Sequence, residues 1–154
     1  MINSKQKLII EQLDKKIEQL HKIDNLIIPS EGWVYSIRTA MKMSLRQLGN
    51  RVGITAQSIK EIETREKSKT ISIKTLTEVA RALDMKFVYG FIPKEKNIEE
   101  IIEKRAYEIA EKIVLRTSKT MQLEAQGNSK TRIKKAIKNR AEEIKREMPK
   151  YLWD

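Results

Sequence analysis

Residues 44–63, SLRQLGNRVGITAQSIKEIE, decide how the rest of the chain is read. Ser44 can cap the free N–H groups of a short helix that carries Leu45, Leu48 and Val52 on one side. Gly53 ends that helix, because glycine tolerates the left-handed conformation that a sharp exit requires. Thr55 then caps a second helix with Ile59 and Ile62 inward, leaving Gln57, Lys60, Glu61 and Thr64 on the opposite side. Two short helices joined by a tight turn form a helix-turn-helix by pattern, and the second helix is placed to read DNA.

Working outward, Trp33 to Met43 reads as a preceding helix with Trp33, Ile37, Ala40 and Met41 buried. Arg38 lies close to that apolar face. Downstream, a polar basic loop, TREKSKT, leads to Ser72, which caps a helix with Leu76, Val79, Ala80 and Leu83 inward. Residues 86–92, KFVYGFI, are aromatic and β-branched and predict a short strand ended by Pro93. A single strand needs a pairing partner, and a copy of itself across a two-fold is one candidate.

On the N-terminal side, residues 5–22 place Ile9, Ile10, Leu13, Ile17 and Leu20 at helical spacing. That stripe can pack on its own domain or on a second copy, and the sequence leaves both open. Pro29 and Gly32 break the connection that follows. Beyond Pro93, Asn97 with Glu100 resembles a capping box, and isoleucines from Ile98 to Ile113 mark a helix to about residue 116. Residues 117–124 extend it or add another turn or two. A last helix, roughly 129–147, carries Ile133, Ala136, Ile137, Ala141 and Ile144, with nine Lys/Arg between Lys130 and Lys150 crowding the remainder. The expected organisation is an N-terminal amphipathic helix and linker (1–31), a helix-turn-helix DNA-binding domain with a terminal strand (32–93) and a C-terminal helical region (94–154). The fold class is mainly α.

The 154 residues contain no cysteine and one histidine, so disulfides and thiolate metal sites are excluded and His21 offers little to a zinc site. No cofactor, nucleophile–base pair, phosphate loop or metal cluster is recognisable, which leaves catalysis without candidate residues. No apolar run approaches the ~20 residues of a membrane span and no signal-peptide pattern is present, which points to the cytoplasm. Net charge is +11. Residues 32–93 hold eleven Lys/Arg against five acids, and residues 94–154 sixteen against eleven. Such an excess suits nucleic acid, through counterion release, or another acidic partner, and equally a merely solvated basic surface. Trp33 and Trp153 read as packing anchors, the methionines at 41, 43, 85 and 121 as fillers of core gaps, and His21 as a solvated helix residue.

From about Trp33 to Leu83 the chain resembles the lambda/434-repressor type of helix-turn-helix domain, the xenobiotic-response-element-like regulators. The matching residues are Ile37-Arg38, Met43-Ser44, Leu45, Leu48, Val52-Gly53-Ile54-Thr55, Gln57, Ile59, Ile62-Glu63, Thr75-Leu76 and Ala80 through Leu83. The resemblance implies a structural pair, Arg38 with Glu63, and base contacts from Ala56, Gln57 and Glu61. Gln57 can bond adenine bidentately, Ala56 can touch a thymine methyl, and Glu61 can accept from cytosine N4. Ser44, Thr55, Lys60, Arg65, Lys67 and Lys69 are the phosphate contacts it suggests. Gly49 stands where alanine is usual, and Arg65 where a turn glycine is common. A dimer reading a palindromic operator is the expected assembly.

The whole chain resembles a narrower group, mobile mystery protein A, through QLD at 12–14, Gly32-Trp33, the FVYGFIP stretch, TSKTMQLE and the terminal Leu152-Trp153-Asp154. That resemblance implies a Fic-domain toxin as partner, mobile mystery protein B, and an antitoxin that represses its own operon. Fic AMP-transferases are restrained by a Ser/Thr-x-x-x-Glu-Gly/Asn helix, and Thr120 with Glu124 has this spacing, with Ala125 in place of the last residue. No other Ser or Thr in the chain is followed by Glu at that distance. A carboxylate can occupy a phosphate-binding arginine because it offers the same bidentate geometry.

Overall fold

The computed structural model describes residues 4–122 and 130–154, the side chains of 118–122 excepted. It is mainly helical: α1 (Ser4–Glu18) followed by a 3-10 turn (Gln19–Ile23), α2 (Trp33–Ala40), α3 (Leu45–Val52), α4 (Ala56–Lys67), α5 (Ile73–Ala82), α6 (Ile98–Gln122), α7 (Lys130–Glu147) and a closing 3-10 turn (Lys150–Trp153). These elements form two compact units, one made of residues 25–90 and the other of residues 1–24 together with 91–154.

In the 25–90 unit, α2 to α5 surround Val34, Leu48, Ile59, Ile62, Val79 and Leu83, all buried. Val34, not Trp33, is the tryptophan-containing helix's anchor. Trp33 occupies the first helical position and keeps 40 % of its surface exposed, and Met41, just past the helix, keeps 50 %. The turn pattern is set by the chain ends of the helices. Ser44, Thr55 and Ser72 each accept a hydrogen bond from the backbone N–H three residues on, at 3.0, 3.1 and 3.1 Å. At Ser44 the cap is reciprocal, since Gln47 Oε1 accepts from the Ser44 N–H at 2.8 Å. At their other ends α2, α4 and α5 close with the same pair of backbone bonds, Lys42 to Thr39 and Met43 to Arg38, Lys69 to Glu66 and Thr70 to Arg65, Asp84 to Arg81 and Met85 to Ala80. This is the Schellman arrangement, and it holds Lys42, Lys69 and Asp84 at positive φ, where a side chain is disfavoured.

The other unit is a pair of long helices with one short one against them. Ile102, Ala106 and Ala110 of α6 lie one turn apart and meet Ile137, Ala141 and Ile144 of α7. Alanine at the middle of each stripe lets the two backbones approach. Lys145 reaches Glu103 at 2.6 Å and Glu99 at 3.1 Å, so α7 runs antiparallel to α6. Burial lowers the Lys145 pKa, but its hydrogen bonds to Glu103 and Glu99 outweigh that effect and hold the ammonium above the usual lysine range. The C-terminal turn is pinned by Arg105, which donates to the Leu152 and Asp154 carbonyls at 2.7 and 2.5 Å. Leu152 is fully buried there and Trp153 is 57 % exposed, so the leucine anchors the tail and the tryptophan does not.

Of the apolar stripe of α1 only Ile10 packs against the α6–α7 core, while Ile9 and Leu13 stay exposed. Two polar side chains, one on α1 and one on the 3-10 turn after it, hold this segment in place. Asp14 accepts from the Ile98 and Glu99 N–H groups, 2.8 and 3.4 Å away, capping the start of α6 from 84 residues earlier in the chain. His21, expected to be merely solvated, bonds the Lys96 carbonyl at 2.7 Å. Asn97 caps Glu100 as expected, while the Glu100 carboxylate bonds back to Lys96.

Residues 86–92 form no strand. A ladder needs a second row of N–H and C=O groups, and among the described residues nothing supplies one. Met85, expected in the core, is 44 % exposed as the chain leaves α5.

Candidate nucleic-acid interface

The inward residues of α4 dictate which side faces out. With Ile59, Ile62 and Glu63 buried, the exposed face is Gln57, Lys60, Glu61 and Thr64, which lie within two turns of one another on the helix. Ala56 is half-buried at the first helical position. Thr55 caps this end, so the N-terminus of α4 presents the cap hydroxyl, a small side chain and an amide side by side. The positive end of the helix dipole lies there as well.

Gly49 and Gly53 make the α3–α4 turn. Gly53 sits at φ +90° as the left-handed cap of α3. Gly49 is helical, and its reason is space. A Cβ there would lie 2.6 Å from the Ile54 carbonyl oxygen. The Gly49 carbonyl itself accepts from the N–H groups of both Gly53 and Ile54 at 2.8 Å. Alanine, usual at this position in the resembled domains, does not fit this turn without displacing it.

Two carboxylates of α4 tie it to α2. Glu63 takes Arg38 Nε at 2.5 Å and Nη2 at 3.2 Å in a two-pronged pair, with both side chains about nine-tenths buried. The remaining Arg38 nitrogen donates to the Met43 carbonyl at 2.8 Å, and the guanidinium lies 5.5 Å from the Tyr35 ring. Every prong of the cation is thereby engaged, which is what a buried charge requires. One turn later Glu66 accepts from the Trp33 and Val34 N–H groups at 2.5 and 2.9 Å and so caps the start of α2. Gly32 makes room for it, because a Cβ there would meet the Glu66 carboxylate at 2.6 Å. Sequence reading missed Glu66. The signal was present in an acid three positions after Glu63 and a glycine just ahead of a helix. Where a turn glycine is common in the resembled domains the chain has a helical arginine, Arg65, and α4 continues to Lys67 with the left-handed residue at Lys69.

The suggested phosphate contacts fall into three situations. Ser44 and Thr55 sit exposed at the N-termini of α3 and α4, their hydroxyl oxygens already accepting the cap bonds. Lys60, Arg65 and Lys69 are exposed on or just beyond α4. Lys67 is paired with Glu31 at 2.9 and 3.0 Å, a contact it must exchange to reach a phosphate. Arg51 of α3 is likewise occupied, bonding the Ala82 carbonyl and Asp84. Thr120 falls in the last turn of α6, where side chains are outside those described, and Glu124 and Ala125 lie outside the described residues. No described helix is long and apolar enough to cross a membrane.

Residues 34–89 match a protein-family model described as Helix-turn-helix. No curated protein and no solved structure matches the chain. The match covers the four-helix unit that carries the capped α3–α4 turn and its exposed polar face, and it marks this segment as a helix-turn-helix domain, which supports a DNA-binding regulator.

Proposed function

We propose that the chain is a sequence-specific transcriptional repressor that binds a palindromic operator as a homodimer. The observation that carries this is the exposed Gln57–Lys60–Glu61–Thr64 face on a helix pinned from behind by Glu63 and Glu66. In this reading Ala56, Gln57 and Glu61 contact base edges in the major groove. Ser44, Thr55, Lys60, Arg65, Lys67 and Lys69 bind phosphates and set the register. Two such helices in a dimer address half-sites about one helical turn, ~34 Å, apart. Footprinting on the promoter of the chain's own operon tests the assignment. Gln57→Ala should change sequence preference, while Lys60→Ala should weaken binding to all sequences and lower the salt slope by about one. Unchanged specific binding in both variants refutes it.

We further propose that the repressor is the antitoxin of a Fic-type enzyme, with Thr120 and Glu124 on the inhibitory face. This part rests on the resemblance to mobile mystery protein A and on a Thr-x-x-x-Glu spacing that occurs once in the chain. Co-expression with the neighbouring Fic protein tests it. Glu124→Gly should release AMP transfer while the complex persists. Absence of any gain leaves the simpler reading, a helix-turn-helix regulator without a toxin-inhibiting role.

A further inference from the structure

We propose that residues 86–92 pair antiparallel with the same residues of a second copy of this chain, about a two-fold axis passing at Tyr89. The inference gives a seam to the dimer proposed above, and it can fail without the DNA reading failing.

The segment combines three properties that conflict in a single copy. Its residues are strand formers. Three of its large side chains are open to solvent, Val88, Tyr89 and Phe91 at 67, 71 and 88 %, while Phe87 and Ile92 are half-buried. Among the described residues, no backbone hydrogen bond involves 86–92. The Phe87 and Tyr89 rings already stack on one side, 6.1 Å apart and 21° from parallel, as side chains two apart on a strand do. An edge of this kind, apolar and unpaired, is a template for another strand.

The segment is complementary to itself. With the axis at Tyr89, Phe87 lies opposite Phe91 of the other copy, Val88 opposite Gly90, and Tyr89 opposite Tyr89. All aromatic rings then share one face, where cross-strand aromatic pairs are favourable. Sliding by two residues one way sets Lys86 against Lys94. Sliding the other way sets Gly90 against Lys86 and loses the Phe87–Phe91 pair. A slip of one residue mixes the two faces. A second copy is therefore the occupant that the segment's own sequence specifies.

The chain has no cysteine, so any cysteine introduced is alone in each copy. Opposite Cα atoms in an antiparallel pair are about 4.5–5.5 Å apart, within disulfide reach. Under diamide at micromolar protein, full-length Tyr89→Cys should form a disulfide dimer at least tenfold faster than Val88→Cys or Gly90→Cys. Phe87→Cys and Phe91→Cys should cross-link with each other when mixed and poorly when alone. Equal rates at 88, 89 and 90, or a wild-type chain that sediments as a monomer at that concentration, overturns the proposal. Phe91→Glu, a change at an exposed position, should raise the dimer dissociation constant at least tenfold in sedimentation equilibrium. A dimer unmoved by it also overturns the proposal. A wild type that dimerises through this seam but shows no operator preference counts against the repressor reading alone.

Discussion

In the 25–90 unit, helices of eight to twelve residues share an apolar core to which α2 and α4 add buried or half-buried polar bonds; in the other unit, α6 and α7, of 25 and 18 residues, meet along a seam of isoleucine and alanine with Lys145 bridging at its edge. Length accounts for much of the contrast. An isolated helix shorter than about 12–15 residues is marginal in water, so short helices depend on capped ends and on neighbours that fix their angle. Long helices can bury a continuous stripe instead. The polar pair also fits the reading role proposed for α4. A reading helix must keep its face oriented to within a few degrees, and a two-pronged arginine–carboxylate pair constrains angle in a way that apolar contact does not.

The largest effect is expected at the Arg38–Glu63 pair. Glu63→Gln leaves a buried guanidinium without its counter-charge, and the unfolding transition of the DNA-binding unit should lose about 3–5 kcal/mol in a urea titration. Replacing both partners, as Arg38→Met with Glu63→Leu, should recover most of that stability while blurring sequence preference in a footprint. A double variant that reads DNA as sharply as the wild type would show that the pair is not what orients α4. In the other unit the equivalent blow is a cavity. Ile144→Ala should cost about 2–5 kcal/mol, read as loss of protection in α6 and α7 by hydrogen exchange, with α2 to α5 unaffected.

Smaller effects are expected at single turns and caps. Gly49→Ala gains about 1 kcal/mol of helix propensity but pushes a methyl group against the Ile54 carbonyl, so we expect a net loss of about 1–2 kcal/mol and weakened operator binding. Asp14→Ala removes the cap on α6 and should cost about 1 kcal/mol, visible as faster proteolysis within α1. Lys69→Gly relieves a left-handed lysine and should raise the stability of the DNA-binding unit by about 0.5–1 kcal/mol, seen as a higher urea midpoint.

What could be read beforehand was local. Ser44, Gly53, Thr55 and Ser72 mark helix ends through bonds to residues a few positions away, and a sequence carries such information explicitly. The inward positions of α3 and α4 followed from spacing for the same reason. Long-range satisfaction was not legible. The α1 stripe says that something covers it, but only the fold brings Ile98 and Glu99 to Asp14. Glu66 looked like one more surface acid until α2 began beside it. Adjacent apolar residues also mislead: Val34 and Leu152 won the buried positions from Trp33 and Trp153, because the helix or turn phase can seat only one of each pair. The strand failed for a different reason, since a strand is not a property of a single segment.

The Asp14 cap has a consequence for synthesis. α1 is made first, yet the N–H groups it caps belong to residues translated 84 positions later. At ribosomal rates of about 5–20 residues per second, that is a wait of roughly 4–17 s. All of residues 25–90 emerge during it and can fold. The 25–90 unit can thus fold while α1 still lacks the backbone groups that Asp14 caps.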